Sequence, residues 1–137
     1  MSLVIDSSIT LAWVYSGETT PAVSQVLEIV SARGAWVPAL WRLEVANVLQ
    51  MGVRRGRHDA IFRDSTLSDL VQLPVSTDHE TEKHAWGASL RLAERHRLTT
   101  YDAAYLELAQ RRRLPLATLD DELRTAAKRE HVTLLGR

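Results

Sequence analysis

The sequence contains no cysteine, so it has no disulfide framework and no thiolate metal site. Glycines number only six. None falls in a G-x-x-x-x-G-K-[ST] or G-x-G-x-x-G run, which excludes the usual phosphate-cradling loops, and there is no G-x-S-x-G elbow. Long apolar runs are also missing. Nothing approaches the roughly 18 uninterrupted apolar residues of a bilayer span, and the first helix candidate, near residues 7–15, follows no basic leader. A cytoplasmic protein without membrane association is expected. An excess of one charge is lacking as well, with 17 basic against 17 acidic residues, which argues against a strong non-specific nucleic-acid binder.

What remains is one domain's worth of chain. The 137 residues are 45% apolar and 25% charged, enough for one core under a soluble surface. No linker, repeat or low-complexity segment interrupts them, so residues 1–137 are expected to form a single domain. Lysine occurs only at Lys83 and Lys128, against fifteen arginines. Arginine suits bidentate phosphate contacts, although a coding bias explains the imbalance equally well. Its clusters, Arg54-Arg55-Gly56-Arg57, Arg95-His96-Arg97 and Arg111-Arg112-Arg113, all fall at expected helix C-termini, where cations offset the dipole in any case.

The pattern alternates short apolar strands with helices. Strands are expected at residues 2–5, 35–37, 73–75, 114–119 and 132–135. Helices are expected at 7–15, 21–33, from Pro38 to about 55, 59–71, from Thr77 or Asp78 to about 95, 99–113 and 120–131. The helix after Pro38 is apolar on most sides and is expected to be largely buried. In the next, Ile61, Leu67, Leu70 and Val71 are expected to face inward. Such alternation gives an α/β fold with a parallel sheet and helices on both faces.

Four acidic residues stand out because each lies at a strand end or helix start inside an apolar stretch. Asp6 closes Leu3-Val4-Ile5, Asp102 opens Asp102-Ala103-Ala104-Tyr105-Leu106, and Asp120 closes Leu114-Pro115-Leu116-Ala117-Thr118-Leu119. Glu44 is expected mid-helix, with Leu40, Trp41, Asn47 and Val48 as its three- and four-apart neighbours, on a face expected to be buried, with no lysine or arginine there to pair with it. Individually, Asp6 and Asp120 read equally well as helix N-caps, and Asp102 as the acid of a capping arrangement with Thr99. Jointly, carboxylates beyond the carboxyl ends of parallel strands repel one another unless they share cations. Oxygen-only ligands point to Mg²⁺ or Mn²⁺ rather than zinc. Two such ions about 4 Å apart would clamp the attacking water and leaving oxygen of a phosphodiester. With four acids neutralised by metal, the thirteen left would face seventeen basic side chains.

Other features read as structure. Glu80 and His84 are one turn apart in a segment charged all over, which fits a solvated face. The four tryptophans, Trp13, Trp36, Trp41 and Trp86, fit a core or interface better than a base-stacking platform. An aspartyl-phosphate switch on a similar sheet would need a lysine at a strand end, and neither Lys83 nor Lys128 is placed there.

At these acids the sequence resembles the PIN-domain ribonucleases, specifically the VapC-type toxins of toxin–antitoxin pairs. The matching pieces run in order: Leu3-Val4-Ile5-Asp6-Ser7-Ser8, then Val37-Pro38-Ala39-Leu40-Trp41-Arg42-Leu43-Glu44-Val45-Ala46-Asn47-Val48-Leu49. Tyr101-Asp102-Ala103-Ala104-Tyr105-Leu106-Glu107-Leu108-Ala109 and Leu116-Ala117-Thr118-Leu119-Asp120 follow. The resemblance implies a three-layer PIN-like fold with sheet order 3-2-1-4-5 and an Mg²⁺ or Mn²⁺ site built from Asp6, Glu44, Asp102 and Asp120. It implies endonucleolytic cutting of RNA, a homodimer, and a small antitoxin covering the groove. Thr118, Asn47 and Ser7 are the polar neighbours expected to orient those ligands, and Asp121 is an alternative ligand to Asp120. A PIN nuclease that is not a toxin, or a degenerate PIN domain serving as a protein-binding scaffold, remains compatible with the same pattern.

Overall fold

A computed structural model describes residues 2–137 of the chain. Five short strands form one parallel sheet: β1 (Val4–Ile5), β2 (Ala35–Val37), β3 (Val75–Thr77), β4 (Leu116–Ala117) and β5 (Leu134–Leu135), in the order β3-β2-β1-β4-β5. Val4 stands opposite both Trp36 of β2 and Leu116 of β4. Successive side chains of a strand face opposite sides of the sheet. Val4, Ile5, Leu116 and Ala117 are all 0% exposed, so both faces of the centre are covered, as parallel sheets require.

The chain builds outward from β1 through β2 to β3, then returns to the other side of β1 for β4 and β5. The direction of construction therefore reverses between β1 and β4. In an open α/β sheet that reversal opens a crevice beyond the strands' carboxyl ends. Asp6 follows β1 directly and Asp120 follows β4 by three residues, so both flank it.

The helices are α1 (Ser7–Val14), α2 (Pro21–Arg33), α3 (Trp41–Arg54), α4 (Ala60–Leu70), α5 (Thr81–Ala85), α6 (Ala88–His96), α7 (Thr100–Arg112) and α8 (Asp121–Arg129). Side-chain oxygens of Asp6, Thr20, Asp59, Thr99 and Asp120 cap α1, α2, α4, α7 and α8, each satisfying a first-turn N–H. Gly34 ends α2 at φ 78°, where a side chain would be strained, and a Cβ there would lie 3.0 Å from Pro74 O.

Several elements differ from the sequence expectation. The long helix before Arg95 is two helices, because Gly87 takes a non-helical backbone (φ −115°, ψ −106°) and glycine resists a helix interior. The break leaves Trp86 93% exposed. The third strand begins at Val75 rather than Leu73, since Pro74 has no N–H for the ladder. α3 begins at Trp41, after a turn closed by Trp41 N–H to Pro38 O at 3.1 Å. Nor is α3 largely buried: Trp41, Val45, Leu49 and Gly52 form its inner face, whereas Leu43 and Val48 are exposed. On α4, Leu67 and Leu70 pack against the core, but Ile61 and, just past the helix end, Val71 are exposed. Trp13, Trp36 and Trp41 join the core.

Candidate metal centre

Each of the four acids sits at a helix N-terminus, so the cap reading and the site reading describe the same positions. Asp6 caps α1, accepting from Ile9 N–H at 3.0 Å, and Asp120 caps α8, accepting from Leu123 N–H at 2.9 Å. Asp102 is in the first turn of α7, its N–H donating to Thr99 Oγ1 at 3.1 Å. Glu44 is in the first turn of α3, not mid-helix. Four helix N-termini thus bring their positive dipole ends to one region.

Asp6 is buried at 5% exposure. Besides Ile9, it accepts from Ser8 Oγ at 2.7 Å and from Thr118 Oγ1 at 2.5 Å. Those bonds favour the carboxylate, but burial outweighs them and the Asp120 charge adds to it, raising the Asp6 pKa to about 6. Glu44 and Asp102 are half-buried. Burial raises Glu44, the Tyr105 hydrogen bond opposes that, and the charges of Asp102 and Asp6 raise it further. Burial also raises Asp102, aided by the charges of Asp120 and Glu122. The chain of repulsions Asp102–Glu44–Asp6–Asp120 joins all four in one electrostatic cluster.

Among the described residues none of these four takes part in an ion pair. Glu18, Asp64, Asp78, Glu80, Glu107, Asp121 and Glu130 all do. A mutually repelling set of sheltered carboxylates without a cationic partner is matched chemically by a hard divalent cation. Among the described residues no three of them stand together as a ready-made cage for one ion. Mg²⁺ fits that arrangement, since it binds through one or two carboxylates and keeps several waters.

The polar neighbours are partly those expected. Thr118, fully buried, donates to Asp6 and accepts from Asp120 N–H at 3.0 Å. Ser8 rather than Ser7 orients Asp6, and it also accepts from Leu119 N–H at 2.9 Å. One residue moves the serine side chain by about 100° around the helix, so the neighbour fails where its successor succeeds. Asn47 is exposed. It is three residues beyond Glu44, and α3 turns that position towards solvent because its buried face follows Trp41, Val45 and Leu49. Asp121 is turned away, paired with Arg137 at 2.7 Å on the surface. Glu122 is the additional acid that Asp102 senses, and its place in the first turn of α8 is the sequence signal for it. Tyr105, which donates to Glu44 Oε1 at 2.5 Å, was hidden as an ordinary core aromatic.

The arginine runs lie elsewhere. At 1.5 Å per residue, Arg54 and Arg111 stand roughly 15 Å along their helices from Glu44 and Asp102. Arg111 pairs with Asp78 and Glu107, Arg112 covers the Trp36 ring at 3.5 Å, Arg57 covers Tyr15, and Arg95 pairs with Glu130.

Comparison with known proteins agrees with this layout. The PIN domain family model matches residues 3–129. Ribonuclease VapC3 of Pyrobaculum aerophilum is 32% identical over 132 residues, covering 90% of this chain and 92% of that protein. The crystal structure of PAE2754 from Pyrobaculum aerophilum superposes with a TM-score of 0.66 at 24% identity, over 98% of this chain and 83% of that one. VapBC2 from Rickettsia felis, solved bound to a DNA fragment from their promoter, gives a TM-score of 0.66 at 11% identity, over 98% and 97%. The sheet order, the acids at the β1–β4 crevice and the match across nearly the whole length lead to one conclusion: the chain belongs to the PIN-domain family, and it is similar to VapC ribonucleases.

Proposed function

We propose that this protein is an endoribonuclease that depends on Mg²⁺ or Mn²⁺, and that it is the toxin of a toxin–antitoxin pair. The observation that carries the chemistry is the cluster of Asp6, Glu44, Asp102 and Asp120, sheltered, mutually repelling and, among the described residues, free of ion pairs. The relative named ribonuclease VapC3 supports RNA as substrate. The fold shared with VapBC2 is consistent with a small antitoxin partner.

Asp6, Glu44 and Asp102 would hold or orient the cation, one or two of them binding it directly and the others through its waters, and Asp120 would complete the set directly or through water. Bound there, a divalent ion supplies charge neutralisation at the scissile phosphate and activation of the attacking water. Asp6 is fixed by three donors, so little reorganisation remains when its charge is engaged. Thr118 keeps Asp6 and Asp120 at a set separation, because one hydroxyl bonds to both residues. With the arginine runs set at helix C-termini, substrate phosphates would meet the four helix N-termini and the cation rather than a broad basic surface.

For partners, α4 has no buried residue and exposes Ile61 and Phe62, with Val71 exposed just past its end. One groove, of about 240 Å³, is lined by Trp41, Val45, Leu67, Leu70, Leu73 and Val75; another, of about 400 Å³, lies between Trp13, Leu27, Phe62 and Leu70. Apolar surface of this kind suits a homodimer contact and an antitoxin segment. Light scattering at micromolar concentration is expected to give a dimer, and co-expression with the neighbouring gene product a stable complex.

The deciding experiment is cleavage of single-stranded RNA by purified protein. Activity is expected with Mg²⁺ or Mn²⁺, loss in excess EDTA, and a fall of about a hundredfold or more in Asp6→Asn. Cutting that proceeds equally fast in EDTA would remove this reading.

A further inference from the structure

Tyr105 is the largest fully buried side chain of the protein, 1% exposed within the core. A phenylalanine would fill nearly the same space, so packing does not require its hydroxyl. A buried hydroxyl must find a partner, and this one finds Glu44: Tyr105 Oη donates to Glu44 Oε1 at 2.5 Å, 61 residues away in sequence. Asp102 and Tyr105 are three residues apart on α7 and share a face. The helix that supplies one acid therefore also reaches across to fix another, on α3.

Among the described residues, this is the one hydrogen bond that holds the Glu44 carboxylate. Asp6 has three donors and Asp120 has the Leu123 N–H, whereas among the described residues Glu44 accepts only from Tyr105, and Oε2 accepts from none. The donor is also neutral. A lysine or arginine in its place would cancel the carboxylate's charge, while a phenol restrains the side chain and leaves the charge for a cation.

We propose that Tyr105 is a positioning residue, which holds Glu44 through Oε1 and leaves Oε2 as the ligand atom for a divalent cation. This rests on the metal-centre reading above. It assigns to the hydroxyl a share of the cation affinity, because a long, flexible glutamate is already ordered before the ion arrives.

The test is Tyr105→Phe, with Mn²⁺ alone titrated by calorimetry and RNA cleavage measured separately. The Phe variant is expected to bind Mn²⁺ about tenfold more weakly, as for loss of a partner that orients a ligand. Half-maximal cleavage should require about tenfold more Mn²⁺, with a smaller change in the saturated rate. In a Glu44→Gln background, Tyr105→Phe is expected to leave Mn²⁺ affinity unchanged. A Phe variant with wild-type affinity, an equal loss in the Gln background, or a wild-type chain that binds no divalent ion overturns the proposal. Should the Phe variant not fold, the ¹³Cζ resonance of Tyr105 in the wild type decides: it is expected to move with diamagnetic Mg²⁺, and an unmoved resonance at saturation overturns the assignment. Protein that shows this Tyr105-dependent binding yet leaves RNA intact removes the nuclease reading and leaves the positioning role standing.

Discussion

Thr118 Oγ1 donates to Asp6 Oδ2 at 2.5 Å, linking the carboxyl ends of β4 and β1 across 112 residues of sequence. The same hydroxyl accepts from Asp120 N–H at 3.0 Å. Thr118 and Asp6 are both buried, so bulk water cannot replace the bond between them.

Thr118→Val keeps the shape and removes the hydroxyl. It is expected to lower stability by about 2 kcal/mol, the usual range for stranding a buried polar group, and to reduce RNA cleavage as Asp6 loses a restraint. Chemical denaturation with and without Mg²⁺ checks the first effect. A Val variant as stable and as active as wild type would remove Thr118 from the site.

The raised pKa of Asp6 fixes a pH dependence. Its folded value, about 6, exceeds its ordinary value of 3.8. Its contribution to stability is therefore complete below about pH 4 and is lost as pH rises through about 6, a swing of roughly 3 kcal/mol. Glu44 and Asp102 shift in the same direction. Glu130 acts oppositely: His96, Arg95 and Gln110 hold it down at about 2, so its contribution is lost only as pH falls from about 4.5 towards 2. Metal-free protein should accordingly be most stable near pH 4–5, and Asp6→Asn should flatten the decline above it. Melts in EDTA at pH 4.5, 6 and 7.5 measure this, and an undiminished decline in the Asn variant would contradict it.

Asp102→Asn separates a cation site from a set of helix caps. Relief of repulsion should stabilise the metal-free protein by about 1 kcal/mol, since functional sites commonly trade stability for activity. Millimolar Mg²⁺ or Mn²⁺ should raise the wild-type melting temperature, because the ion binds the folded state, and the rise should shrink in the variant. A destabilised variant with an undiminished metal response would mean that Asp102 serves the helix dipole alone.

Arg111 should prove structural. It is the cation between Asp78, 1% exposed, and Glu107, 5% exposed. Arg111→Met strands two buried carboxylates and is expected to cost about 3 kcal/mol or more, with the RNA cleavage rate of the folded fraction retained. Loss of activity at unchanged stability would return this arginine to the substrate.

The element order and the parallel sheet were legible from periodicity, and the four acids stood out as carboxylates set in apolar runs. Boundaries were less so. Pro74 and Gly87 changed a strand start and split a helix through backbone geometry that apolar spacing does not report. Leu43, Ile61 and Val71 looked like core because their residue type is apolar, yet the curvature of packing turned them outward.

By itself, the sequence determined which side chains could serve a hard cation, because removing cysteine and phosphate loops left carboxylates as the available chemistry. Local signals also placed Asp6, Asp102 and Asp120 at helix starts. Only the tertiary structure decided which neighbours act on them. Ser8 rather than Ser7 bonds to Asp6, Asp121 pairs with Arg137, and Tyr105 is the partner of Glu44, because hydrogen bonds depend on angles and distances that close only when strands 112 residues apart lie side by side.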